Sequence, residues 1–243
     1  HLGRMLDELE KQGLLHNTLI VVTSDHGMPF PRCKGSAYID SNHVPLAIMW
    51  KKGITNPGRV VDDYVSFIDL APKFLGVANL DWKKAGMAPT PGLSLQDLFA
   101  SAKSGSINPL RDHVLIGMER HDIGRPGDVG YPIRGIIKSN LIYLHNFEPS
   151  RWPACNPETG YLNVDASPTK SLILEDHRRN PTDKFWNWCF AKRPGAELYN
   201  LEKDPDCLNN LALNPANAEL CDSLKNQMFA KLKAEGDPRM DGK

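Results

Sequence analysis

Residues Thr18 to Thr23 read Thr-Leu-Ile-Val-Val-Thr, and the run stops abruptly at Ser24-Asp25-His26-Gly27. Branched side chains crowd a helical turn but stand clear of one another on a pleated strand. A continuous apolar run without alternation predicts a strand covered on both faces, the pattern of a buried parallel strand. The expectation is therefore a layered α/β architecture, with a polar cluster at the carboxyl end of a central strand. Open α/β sheets bind their ligands at that end. A long loop containing Pro and Gly follows, and Val44 to Trp50 (VPLAIMW) predicts a second buried strand.

Upstream, Leu2, Met5, Leu6, Leu9 and Leu14 recur near helical spacing, which predicts a helix over 1–15 ended by Gly13 and His16-Asn17. The chain opens on His1, without an initiator Met and inside this pattern, so it reads as a fragment, and any export signal would belong to sequence not seen here. Ser66 to Leu75 predicts a further helix, with Pro72 near its start. Residues 78–110 turn rich in Pro, Gly, Ser and Lys around one short helix at Leu95–Ala100, and an internal boundary is expected near residue 105. Beyond it the pattern changes. Val114–Met118, Ile133–Lys138 and Leu141–His145 predict strands, the last two forming a hairpin across Ser139-Asn140. Leu220, Leu224, Met228 and Leu232 repeat every fourth residue in a closing helix over Pro215–Glu235. The expected fold class is α/β followed by a smaller α+β subdomain with an antiparallel sheet and a closing helix, divided as 1–105 and 106–243.

Charge excludes some partners. Lys+Arg and Asp+Glu both total 29, so the chain has no global field for nucleic acid or an anionic membrane surface. No stretch approaches the roughly 18 apolar residues of a membrane span. The five cysteines form no CxxC pair, which argues against a zinc site and leaves disulfides and thiols both open.

Adjacent Asp25 and His26, just past a strand, offer one oxygen and one nitrogen ligand to a divalent ion, and Gly27 permits a sharp turn. The same residues also suit a capping Asp and a solvated His. Lys34, with Arg32 nearby, places a compact ammonium where it can hold an oxyanion, or simply a solvated loop lysine. His43 precedes the second strand, and His121 follows the Val114–Met118 strand in Glu119-Arg120-His121-Asp122. Each suits a proton donor, a substrate contact or a surface histidine. Arg134 reads equally as a pocket cation or an outward strand residue. Trp186 and Trp188, with Phe185 and Phe190, suggest a sugar-stacking platform or, more strongly, core packing. No Gly-rich phosphate loop, GxSxG elbow or HExxH helix is present.

Taken in order, these segments resemble the type I, formylglycine-dependent sulfatases of the alkaline-phosphatase superfamily. Ser24-Asp25-His26-Gly27-Met28-Pro29-Phe30-Pro31 is similar to the second metal-binding segment of the heparan N-sulfatase (sulfamidase) branch. Further resemblances follow co-linearly at Tyr64–Pro72, at Tyr131-Pro132-Ile133-Arg134, and from Glu197-Leu198-Tyr199-Asn200-Leu201 through Asp204-Pro205 to Asn210-Leu211-Ala212. The resemblance implies that 1–105 is the C-terminal part of the sulfatase α/β domain and 106–243 its C-terminal subdomain. It implies that Asp25 and His26 bind a divalent metal, usually Ca2+, and that Lys34 contacts the sulfate group. His26 stands where many members have Asn. His at this place is frequent in bacterial sulfatases and in related phosphonate and phosphodiester hydrolases. His121 would lie near the mouth of the substrate pocket; His43 and Arg134 join it as candidate substrate contacts on residue type and position alone. The implied substrate is a sulfated carbohydrate such as a heparan glucosamine unit, and the implied compartment is periplasmic, extracellular or lysosomal. The family's nucleophile is a formylglycine made within a Cys/Ser-x-Pro/Ala-x-Arg segment. Cys33 precedes Lys34-Gly35 and Cys155 precedes Asn156-Pro157-Glu158, so the sequence is read as holding no such segment, and the nucleophile is expected upstream. Alone, this stretch would then be inactive. A phosphodiester or phosphonate monoester hydrolase of the same superfamily, and a non-catalytic glycan-binding relative, are the alternatives.

Overall fold

A computed structural model describes residues 1–121, 125–157 and 164–242. Helices α1 (Leu2–Lys11), α2 (Ile39–Asn42), α3 (Leu70–Val77), α4 (Gln96–Ala100), α5 (Pro168–Arg179), α6 (Lys184–Cys189) and α7 (Ala218–Ala234) are interspersed with six strands. The strands are β1 (Ile20–Thr23), β2 (Leu46–Met49), β3 (His113–Met118), β4 (Ile133–Lys138), β5 (Leu141–Asn146) and β6 (Ala196–Asn200). The chain divides into two compact units, one made of 1–23 with 45–114 and the other of 24–44 with 115–243. Compactness thus cuts across the expected 1–105 and 106–243 division, because the loop after β1 packs with the later part of the chain.

In the first unit, β1 pairs with β2 and the pairing is antiparallel, with Ile20 opposite Met49 and Thr23 opposite Leu46. This corrects the expectation of a buried parallel strand. Thr23 and Leu46 are register partners, so both ends of the intervening loop lie side by side, and the Thr23 hydroxyl closes its base by donating to the Pro45 carbonyl at 2.7 Å. An aliphatic run reads alike for either strand direction, and burial was overread too, since no β1 residue is buried among the described residues. Helix α1 stops at Lys11, ahead of Gly13 at φ 71°, and buries none of its residues. The core of this unit is Leu95, Leu98 and Phe99, packed by Leu19, Ile48, Trp50 and Leu70. Asp69 closes a capping box with Ser66 before α3 and accepts from Arg111 at 2.9 Å, both groups being buried.

In the second unit, β3, β4, β5 and β6 form one sheet in that order, and β4–β5 and β5–β6 are antiparallel. The Ser139-Asn140 hairpin is present as expected, with Ser139 at φ 52°. Side chains alternate across the sheet. Ile136, Tyr143 and Leu198 are cross-strand neighbours and face α7, whose Leu224, Met228 and Leu232 are buried against them. The other set, Ile133, Leu144, Asn146 and Glu197, points to the opposite face. There the loop 24–44 is fastened by Arg32, which donates to the carbonyls of Trp188 (2.6 Å), Asp206 (3.0 Å) and Cys207 (2.7 Å) and lies 4.0 Å over the Tyr38 ring. Helices α5 and α6 were not anticipated. Trp186 and Phe190 are buried there with Ala154 and Val164, and Trp186 stacks on His177 at 3.8 Å. Core packing, not a sugar platform, is what these two aromatics do.

Candidate functional site

The segment after β1 builds the site. Gly27 is required for space and not for an unusual φ, which corrects the expected role of a sharp turn: a Cβ placed there would fall 1.8 Å from the Asp40 carbonyl oxygen on α2. This close approach seats the Gly27 backbone, directly after Asp25 and His26, against α2. The His26 Nδ1 lies 2.6 Å from the Gly27 carbonyl, and a carbonyl only accepts, so Nδ1 carries a proton and Nε2 is the ring atom that offers a lone pair in the neutral imidazole. That Nε2 sits 3.4 Å from Asp25 Oδ2. At this separation the imidazole and the carboxylate need a proton or a cation between them, because two bare acceptors would repel. A backbone carbonyl fixing the tautomer from behind is the usual second layer of a metal-bound histidine. The Asp25 side chain is 85% exposed and thus open to an incoming ion. The pair fits a divalent cation as two ligands. Among the described residues no third His, Cys, Asp or Glu joins them in a ligand cluster.

Lys34 lies on the same loop, its amide bonded to the Met28 carbonyl at 3.1 Å. Its ammonium donates to both oxygens of Asp165, at 2.8 and 3.1 Å. These hydrogen bonds hold the Asp165 carboxyl below its ordinary range against the opposing effect of desolvation, and the positive fields of Lys34, His26 and Lys170 act in the lowering direction too. Asp165 therefore shares an electrostatic neighbourhood with both Lys34 and His26. Nothing in the sequence pointed to it, because it lies 131 positions from Lys34 and precedes α5 without a motif.

The other expected site residues are placed as follows. His43 is exposed at the end of α2. His121 is exposed as well, and its neighbour Asp122 lies outside the described residues. Arg134 is committed to structure: its guanidinium donates to Asp237 at 2.6 and 3.1 Å, to Glu119 at 3.1 Å, and to the carbonyls of Met118 and Ile133. With its side chain 12% exposed, it pins β4 to the segment after α7 and has no donor to spare for a ligand.

A cavity of about 40 Å³ lies behind Lys34, lined also by Tyr38, Tyr131, Asn146, Cys189, Arg193 and Glu197. It has room for roughly two or three water molecules, far less than a sugar needs. Cys189 matters for a second reason. The reading that no Cys/Ser-x-Pro/Ala-x-Arg segment occurs needs correction, since Cys189-Phe190-Ala191-Lys192-Arg193 has that spacing. The surroundings do not suit a nucleophile. Cys189 ends α6, burial pushes its thiol up to about 11, and the Arg193 guanidinium is spent on the Trp188 carbonyl and the charge of Glu197. Peptide mapping of the full-length protein is expected to find Cys189 as an unmodified thiol that alkylates only after denaturation. An aldehyde at this position would reverse that assignment.

Residues 1–80 match the family model described as Sulfatase. Human N-sulphoglucosamine sulphohydrolase is 26% identical over 93% of the chain, which spans 43% of that protein's length. An ulvan-active sulfatase of Formosa agariphila is 28% identical over 97% of the chain, which spans 36% of its length. Among solved structures, a protein in complex with its substrate D-glucosamine-2-N,6-O-disulfate superimposes with a TM-score of 0.63 at 20% identity, over 97% of this chain and 38% of that one. The chain thus spans about two fifths of the length of the proteins it matches. No helix among the described residues is long and apolar enough to cross a membrane.

Proposed function

We propose that this chain is part of a sulfatase, and that its Asp25, His26 and Lys34 form part of a metal-assisted site that cleaves sulfate from a sulfated glycan, in the class of N-sulfated or O-sulfated glucosamine units. The observation that carries this reading is the 3.4 Å approach of His26 Nε2 to Asp25 Oδ2 with Nδ1 already committed to the Gly27 carbonyl. Asp25 and His26 would hold the ion, for which calcium is our choice. When bound, such an ion contributes fixed positive charge to the oxygens of the transferring sulfuryl group.

The remaining steps belong to side chains. Lys34 directs its ammonium at the sulfate oxygens and neutralises charge that grows as the bond to sulfur breaks. Gly27 and α2 hold the carboxylate and imidazole together, so little reorganisation is needed when substrate arrives. The further ion ligands and the nucleophile, for which formylglycine is the family's choice, lie in the part of the protein that this chain does not span. One carboxylate and one imidazole ligand without a nucleophile can help orient an anion but cannot form a covalent intermediate. We place the intact enzyme in an exported or lysosomal compartment, as the resemblance implies.

The test uses the full-length protein, assayed for inorganic sulfate released from N-sulfated and 6-O-sulfated glucosamine and for hydrolysis of an aryl phosphonate monoester. Sulfate release is expected to dominate, to vanish on chelation and to return with added calcium, while the 243-residue chain alone releases none. Faster phosphonate turnover would transfer the site to the phosphonate hydrolase reading.

A further inference from the structure

Lys34 is bound by a carboxylate, and a carboxylate beside an anion site is electrostatically costly. Asp165 contacts the ammonium through both oxygens, yet its side chain stays 52% exposed and that of Lys34 24% exposed. An ammonium has three donors, so a bound anion can take a free one without displacing Asp165. Two oxygens sharing one ammonium nitrogen in this way stand about 4–5 Å apart at ordinary hydrogen-bond lengths. Any anion on Lys34 therefore feels a fixed negative charge at close range.

The reaction under the proposed function changes the charge on the bound anion. A sulfate ester or N-sulfate carries one negative charge. Hydrolysis breaks its S–O or S–N bond, and water supplies the oxygen that completes inorganic sulfate, a dianion. The proton balance closes on the alcohol with a released proton, or on the amine as an ammonium. Repulsion from a fixed carboxylate scales with the charge of the anion.

We propose that Asp165 is a specificity-determining charge filter of the Lys34 anion site, admitting monoanionic sulfate esters while disfavouring dianions, both the inorganic sulfate product and phosphate monoesters of similar shape. It rests on the reading of Lys34 as the sulfate contact. Asp165 orients the ammonium and at the same time makes the product bind more weakly than the substrate, so it favours release. The carboxylate is held ionised by Lys34, with His26 and Lys170 adding their fields, which keeps the filter charged.

The experiment measures dissociation constants of the full-length protein for inorganic sulfate and for methanesulfonate, a monoanion, by titration calorimetry. In this half-exposed setting one charge is worth roughly fivefold, so Asp165→Asn is expected to tighten methanesulfonate about fivefold and sulfate about 25-fold. Asp165→Glu, which keeps the charge, is expected to leave the ratio of the two constants within about twofold of wild type. An equal change for both anions in Asp165→Asn, or a loss of affinity for both, overturns the filter and leaves Asp165 as a support for Lys34 only. Lys34→Ala separates the two levels: unchanged sulfate affinity there would sink the proposed function itself, whereas weakened sulfate binding with an unselective Asp165→Asn would sink only the filter. Thermal midpoints of all variants near wild type are expected, because the pair lies at the surface.

Discussion

Asp25→Ala in the full-length protein is expected to lower kcat/KM for sulfate release by about 10²–10³-fold, with loss of bound metal, because under the proposed function it removes a charged ligand, and it leaves His26 Nε2 without its opposing oxygen. The side chain is largely exposed and accepts no hydrogen bond from the backbone among those observed, so folding should be little affected. Asp25→Asn sharpens the result. It keeps the shape of the carboxylate and an oxygen acceptor but removes the charge, and is expected to retain part of the metal affinity. Steady-state kinetics together with elemental analysis of the purified variants decide the matter. Activity and metal content both near wild type in Asp25→Ala would mean that the facing acceptors at 3.4 Å are bridged by a proton and not by an ion.

The sequence made some of this legible, and the reasons are physical. Leu224, Met228 and Leu232 recur every four residues, and such a stripe has only one way to be buried on a helix, so α7 and its packing face could be read directly. The β4–β5 hairpin was equally plain, since two apolar runs separated by Ser139-Asn140 leave no room for a crossover. The direction of β1 was not legible, because Leu-Ile-Val-Val carries no mark that distinguishes its neighbours' orientation. Asp25, His26 and Lys34 could be singled out as candidates because they lie within ten residues of one another in the chain. Asp165 was missed because contact across 131 positions has no local trace. Arg134 misled for a related reason: an arginine on a strand looks available until Asp237 and Glu119 are brought to it by the fold. Cys189 shows the converse failure, a spacing that fits a motif in a setting that does not suit its chemistry.

Glu197 was noticed only as part of Glu-Leu-Tyr-Asn-Leu, yet it is the group on which the Lys34 loop is moored. Its side chain is on the cavity face of β6, 2% exposed, where its carboxylate accepts from Tyr38 Oη at 2.8 Å, Tyr199 Oη at 2.6 Å and Asn146 Nδ2 at 2.7 Å. Burial, followed by the charges of Tyr38 and Glu197, pushes the Tyr199 hydroxyl well above its ordinary range, so it remains a donor. The Arg193 guanidinium faces the same carboxylate. Glu197→Ala strands three donors and leaves the partly buried Arg193 without its facing charge, and is expected to destabilise the unit by about 3–5 kcal/mol. Glu197→Gln keeps one oxygen acceptor but places an amide against donors, and is expected to cost about 1–3 kcal/mol. Urea unfolding of the full-length variants measures both. Because Tyr38 lies only four residues beyond Lys34, the same substitution should weaken sulfate binding in molecules that are still folded, and more than Tyr199→Phe does. A Glu197→Ala protein within about 1 kcal/mol of wild type would show that the tyrosines and Arg193 find water instead, and that the loop bearing Lys34 is held by Arg32 on the carbonyls of Trp188, Asp206 and Cys207 alone.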